Sequence, residues 1–101
     1  MRGFVYLLCD GEKFKIGMTK QKDINKRIKE LQTGNPEEIW LRSYYETDNP
    51  LRIEQMMHAR YKNKNVRNEW FDMNVEDVIN FNDTCAFCDS ILKSMENNPF
   101  I

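Results

Sequence analysis

The chain opens on an apolar run, Gly3-Phe4-Val5-Tyr6-Leu7-Leu8-Cys9, then a polar tetrad, Asp10-Gly11-Glu12-Lys13, then Phe14-Lys15-Ile16-Gly17. The first run is rich in β-formers, and Asp-Gly between two such runs is a strong hairpin signal. A strand has a period of two, so Tyr6 shares a face with Phe4 and Leu8, opposite Val5 and Leu7. Gly17 closes the second strand where a side chain would block a close approach. Lys13 and Lys15 point the same way, toward a face shared with the next helix.

Met18 to Lys22 is a polar connector. Asp23 then caps a helix from Ile24 to Thr33, with Gly34 as the residue just past its end and Pro36 beyond. Ile24, Ile28 and Leu31 supply its apolar stripe. Residues 37–47 hold the longest β-like run, which predicts the central or partner strand of a three-stranded antiparallel sheet. Asn49 and Pro50 begin a second helix that reaches Tyr61 or Lys64, with Ile53, Met57 and Tyr61 in one row and Leu51 extending the buried side. Residues 63–68 read as a polar, basic loop, and Trp70 and Phe71 as aromatics returning to the core. Two further helices follow, Val75 to Phe81 capped by Asn74, and Thr84 to Glu96 capped by Asp83, the last with Phe87, Ile91 and Met95 at helical spacing. The order predicts an α+β fold, a small three-stranded antiparallel sheet flanked by helices with extra C-terminal helices. No internal repeat or low-complexity linker interrupts it.

Composition narrows the class. At 101 residues, with 41% hydrophobic and 31% charged positions, the chain reads as one soluble globular domain, residues 1–101. No apolar run is long enough to span a bilayer, and Met1-Arg2 leads into a strand without the pattern of a signal peptide, so no membrane partner and a cytoplasmic setting are expected. Three cysteines, an odd number, argue against a secreted disulfide framework. The net charge of −1 conceals an asymmetry: residues 1–68 carry +5 and residues 69–101 carry −6. A basic body suits a phosphate backbone, where neutralised phosphates release counterions. The acidic remainder can fold back on it or weaken that binding. Ordinary solvated surfaces remain the alternative.

Gly3-Phe4-Val5-Tyr6 followed by Lys15-Ile16-Gly17 resembles the paired signature of the GIY-YIG nuclease superfamily, in the branch of phages and large DNA viruses whose second motif reads Lys-Ile-Gly. The resemblance continues through Arg27, Leu31-Gln32-Thr33-Gly34-Asn35-Pro36, Glu54 with His58, and Glu69-Trp70-Phe71. It covers residues 3–71 as a module, leaving residues 72–101 as a helical extension. It implies a metal-dependent endonuclease acting on DNA with Mg2+ (or Mn2+). The alternative is a catalytically weak or inactive module of that fold that binds DNA or a host protein, in host cytoplasm if viral.

Each candidate residue has an ordinary and a chemical reading. Glu54 and His58 are four apart on a helix and share a face. A carboxylate there is ordinarily a solvated ion-pair partner. Chemically it can hold a divalent cation, since Mg2+ takes only one or two protein carboxylates and keeps its waters. The resemblance matches Glu54 to the superfamily's metal-binding glutamate and Arg27 to its helix arginine. A guanidinium stabilises charge building on a phosphate; otherwise Arg27 is one more exposed cation. Tyr6 is either a buried sheet aromatic or a general base, and as a base a phenol needs a nearby cation, which Lys15 can supply. The superfamily usually has tyrosine where this chain has Lys15, and that tyrosine is a favoured base. With it missing, the base is Tyr6 or His58, imidazole being suited to proton transfer near neutral pH. Lys13, Lys20, Lys26, Arg60, Lys62, Lys64 and Arg67, with Lys15 and Arg27, are expected to meet DNA from one side of the sheet. Cys85-Ala86-Phe87-Cys88 lacks two further ligands for a zinc site and reads as reduced helix cysteines, one partly buried.

Overall fold

The computed structural model describes residues 2–96. Strand β1 (Gly3–Cys9) forms an antiparallel hairpin with β2 (Phe14–Thr19), with Tyr6 opposite Gly17 and Leu8 opposite Lys15. The turn is held by the Asp10 carboxylate, which accepts from the backbone N–H of Glu12 at 2.9 Å and of Lys13 at 2.7 Å. Those bonds, Lys13's foremost, hold the Asp10 carboxyl below its usual range. Gly11 sits at φ +102°, a region closed to most side chains.

Helix α1 (Ile24–Thr33) follows, and Asp23 caps it by accepting from the N–H groups of Asn25 and Lys26. Strand β3 (Trp40–Thr47) then pairs with the other side of β1. A bulge at Arg42 leaves Ser43 opposite Leu7 and Leu41 opposite Leu8. Helix α2 (Pro50–Arg60) starts on a buried Pro50, and Asn49 makes no side-chain capping bond. A 3-10 turn (Lys62–Lys64) leads into β4 (Asn65–Arg67) and β5 (Trp70–Phe71), which turn back at Asn68, φ +50°. Helices α3 (Val75–Ile79) and α4 (Phe81–Glu96) close the described chain. Asn74 and Asp77 cap α3 reciprocally, each side chain taking the other's backbone N–H.

The fold is α+β, as the order of elements predicts, but its antiparallel sheet has five strands, β3-β1-β2-β5-β4, rather than three. The two added strands are three and two residues long, too short to leave a periodic trace, so their segment reads as loop. The central strand of the expected three is β1, and β3 lies at the edge. Period two sorts the faces. Val5, Leu7 and Ile16 join Ile53, Met57, Tyr61, Phe71 and the α3–α4 residues Val78, Phe81, Cys85, Cys88 and Leu92 in one core. Tyr6, Leu8 and Ile39 face the other way, under Ile24, Ile28 and Leu31 of α1 and beside Leu41 and Trp70. The α1 side is thin, since no α1 residue is fully buried.

Several local expectations are corrected. Helix α4 starts at Phe81, so Asp83 lies in its first turn and does not cap it. Its buried stripe is Phe81, Cys85, Cys88 and Leu92, while Phe87 is 57% exposed. Of its two apolar stripes, the one with small cysteines allows close contact with α2, where Cys88 Sγ lies 4.0 Å from Met57 Sδ. The same rotation buries Asp89, whose Oδ2 accepts from the Tyr45 hydroxyl at 2.9 Å and the Thr47 hydroxyl at 3.2 Å. Burial, then its bond to Asp89, push the Tyr45 phenol up to about 12. Both cysteines of the C-x-x-C are buried and free, and burial pushes the Cys85 thiol up to about 12, so neither is a ready thiolate. Leu51, expected to extend the buried side of α2, is exposed. Gly34 ends α1 at φ −90°, outside the left-handed region. Among the described residues no helix is long and apolar enough to cross a membrane.

Candidate active site

Strand β5 covers β2 only at Phe14 and Lys15, so residues 16–19 of β2 have no strand neighbour on that side. At this open edge the Ile16 N–H donates to the Glu69 carbonyl at 3.1 Å. The Ile16 carbonyl accepts from His58 Nε2 at 2.8 Å. A carbonyl can only accept, so Nε2 carries a proton, and in the neutral ring the lone pair lies on Nδ1. The Phe71 ring meets the imidazole edge-on, with centroids 5.0 Å apart at 69°. One hydrogen bond and one aromatic contact thus fix His58's tautomer and orientation.

Glu54 lies one turn before His58 on α2, and Glu69 immediately precedes β5. Glu54, His58 and Glu69 each offer a ligand atom within 4.8 Å of the others, all three half-buried. Burial, then the charge of Glu69, push the Glu54 carboxyl above its ordinary range, with His58 and Lys15 opposing. Lys15 Nζ stands 3.5 Å from Glu69 Oε2, and its side chain is only 20% exposed. The two carboxylates, partly desolvated and only partly neutralised, are oxygen donors suited to a divalent cation, and the imidazole stands beside them. The sequence singles out Glu69 only as part of Glu69-Trp70-Phe71 and gives it no role in this set.

Tyr6 reaches the same edge from the opposite face. A Cβ on Gly17 would lie 2.5 Å from the Tyr6 Oη, so the phenol lies across Gly17 toward the edge of β2. Burial pushes the Tyr6 phenol up, the nearby Arg27 guanidinium opposes this, and the charges of Glu69 and Glu54 add to it. The structure therefore brings Tyr6, Lys15, Arg27, Glu54 and His58 into one neighbourhood. The pairings differ from expectation, since Arg27 accompanies Tyr6 while Lys15 is engaged by Glu69. Arg27 is half-buried at the side of the α1 stripe.

The basic residues are not gathered on one side of the sheet. Helix α1, with Lys26 and Arg27, packs on the Tyr6 face, whereas α2, which ends at Arg60, packs on the other. The acidic part of the chain does fold back on the basic part. Lys13 Nζ lies 3.6 Å from Asp72, Lys64 pairs with Asp77, and Lys15 with Glu69. Lys20, Lys26, Arg60, Lys62 and Arg67 are exposed and form no ion pair among the described residues.

No curated protein and no solved structure matches this chain. A family model does match, the T5orf172 domain, over residues 3–86. That domain occurs in phage proteins and is associated with GIY-YIG- and HNH-like nucleases. With a family model spanning the sheet, the open edge and the first turns of α4, the chain belongs to the T5orf172 domain family.

Proposed function

We propose that the protein is a metal-dependent endonuclease of GIY-YIG type that hydrolyses DNA phosphodiester bonds in a phage or viral setting. The observation that carries this reading is the convergence of Glu54, His58 and Glu69 at the open edge of β2, with Tyr6 and Arg27 arriving from the other face. Glu54 would hold Mg2+ or Mn2+, which when bound would supply Lewis-acid stabilisation of charge on the leaving oxygen. His58 takes the proton of the attacking water on Nδ1, the nitrogen left free by its bond to Ile16. The water oxygen bonds to phosphorus, the P–O3′ bond breaks, and the 3′ oxygen departs as an alkoxide that takes its proton from solvent. Arg27 donates to the non-bridging oxygens, where charge accumulates in the transition state. Tyr6, kept protonated by burial, serves as a hydrogen-bond donor to the same phosphate.

The test is nicking of supercoiled plasmid with Mg2+ or Mn2+. Glu54→Gln, which keeps the shape of the half-buried side chain, should abolish nicking without loss of fold. Nicking at the wild-type rate by that variant refutes the assignment. One set of observations favours the second reading, a module that binds without cutting. Lys15 stands where the superfamily usually has tyrosine, and Lys13, Lys15 and Lys64 are already tied to acids. A host-protein binder predicts no affinity for labelled duplex at low salt.

A further inference from the structure

Two features of the edge site are unexplained by a lone metal-binding glutamate. One is Glu69, a second carboxylate held within ligand distance of Glu54, where a shared proton, at the cost of a raised Glu54 pKa, offsets the repulsion of the two charges. It is held there by backbone, since its own carbonyl accepts the Ile16 N–H and the next residue, Trp70, pairs with Lys15. Repulsion between two ionised carboxylates would by itself turn a side chain that still reaches solvent outward. The other is Lys15, largely buried, with its ammonium 3.5 Å from Glu69 and no other acid within 4.0 Å among the described residues. An ammonium there neutralises one of two charges, and it is a point charge on a flexible stem that can move.

We infer that Glu69 is the second carboxylate of the cation site, and that Lys15 is its resident counter-cation, displaced when a divalent ion binds and then free to meet the DNA phosphate. The inference rests on the proposed metal site and deepens it. A divalent ion offers two charges to Glu54 and Glu69 where Lys15 offers one, so it wins the exchange at the cost of breaking an existing pair. Lysine at this position thus couples metal entry to phosphate capture, because its ammonium becomes available only once Glu69 is engaged elsewhere. A wholly structural Lys15 would instead make metal binding and catalysis rise or fall together.

Binding of Mn2+ to the full chain without DNA, followed through the electron paramagnetic resonance signal of the free ion, tests this directly. Lys15→Met keeps the buried stem and removes the charge, with Lys15→Gln as a second variant should the first not fold. Either should bind Mn2+ at least about tenfold more tightly, since even in a water-like dielectric a unit charge about 5 Å from a divalent ion is worth that much. Glu69→Gln should weaken binding about tenfold or more, and the gain from Lys15→Met should vanish in the Glu69→Gln background. In the plasmid assay Lys15→Met should nick more slowly despite its tighter metal binding. Equal or weaker Mn2+ binding by the lysine variants, or wild-type binding by Glu69→Gln, overturns the inference while leaving the metal site intact, provided Glu54→Gln still loses Mn2+. If Glu54→Gln binds as wild type does, or the wild type binds no Mn2+ at millimolar concentration, the metal reading falls and the inference falls with it.

Discussion

Gly17→Ala is the sharpest perturbation of this site, because one methyl group meets a buried ring. The added Cβ would lie 2.5 Å from Tyr6 Oη, 2.6 Å from Cζ and 2.7 Å from Cε1. Carbon atoms in comfortable contact stand about 3.5–4.0 Å apart, so the ring must retreat by about 1 Å. Tyr6 is 1% exposed and packed beneath α1, so that retreat pushes into filled space. Overpacking of this kind costs about 1–3 kcal/mol. For a domain of this size each kcal/mol lowers the melting temperature by about 4–8 °C. The catalytic loss should be larger in proportion, because a displacement of about 1 Å in a positioned group can cost about 100-fold in rate. Urea denaturation and plasmid nicking on the same preparation measure both. Removing the ring should relieve the clash, so Gly17→Ala made in a Tyr6→Leu background should cost less than half of its cost in the wild type. If Gly17→Ala is as stable as the wild type, or if its cost is the same with and without the Tyr6 ring, the phenol does not lie across Gly17 and the edge geometry is wrong.

Other expectations follow from the same geometry. His58→Gln should slow nicking by about 10²–10⁴-fold as the loss of a general base; Tyr6→Phe, which removes only a donor, should cost less, and the reverse order in a single-turnover assay would make Tyr6 the base. Because the Glu54 pKa is raised, its contribution to stability is present below the unfolded value and lost as pH rises through the folded one. Ionised Glu54 is also the form that binds a cation, so Mn2+ should raise the melting temperature more at pH 7 than at pH 5; equal shifts at the two pH values would contradict this. DNA binding should use the α1 face, so alanine at Lys20 and Lys26 should weaken binding and flatten its salt dependence, while alanine at Arg60 and Lys62 should do neither. With about four phosphate contacts on that face, log K should fall with log salt at a slope of about −3.6, and a slope near zero would favour the protein-binding reading.

Much of the architecture was legible locally. Alternation in residues 4–8 assigned Val5 and Leu7 to one face and Tyr6 and Leu8 to the other, because a strand's period is two. The helical spacing of Ile24, Ile28 and Leu31, and of Ile53, Met57 and Tyr61, picked out the packed sides of α1 and α2. The four-residue spacing of Glu54 and His58 put them on one side of α2 for the same reason. What escaped the sequence depends on contacts between distant segments. Helix α4 carries two apolar stripes, and periodicity does not rank them; the hydroxyls of Tyr45 and Thr47, more than forty residues away, and the thioether of Met57 favour the cysteine-bearing one. Strands β4 and β5 are too short for a pattern and exist because β2 offers Phe14 and Lys15 an unfilled edge. Which acid meets Lys15, which cation meets Tyr6, and on which faces the basic helices lie are likewise set by the order of strands in the sheet. The sequence alone determined the residue types of the site and the local faces that bear them. Tertiary structure decided their company: the closing of β5 onto β2 brings Glu69 beside Glu54, and the packing of α1 on the opposite face of the sheet brings Arg27 beside Tyr6, because each joins segments far apart in the chain.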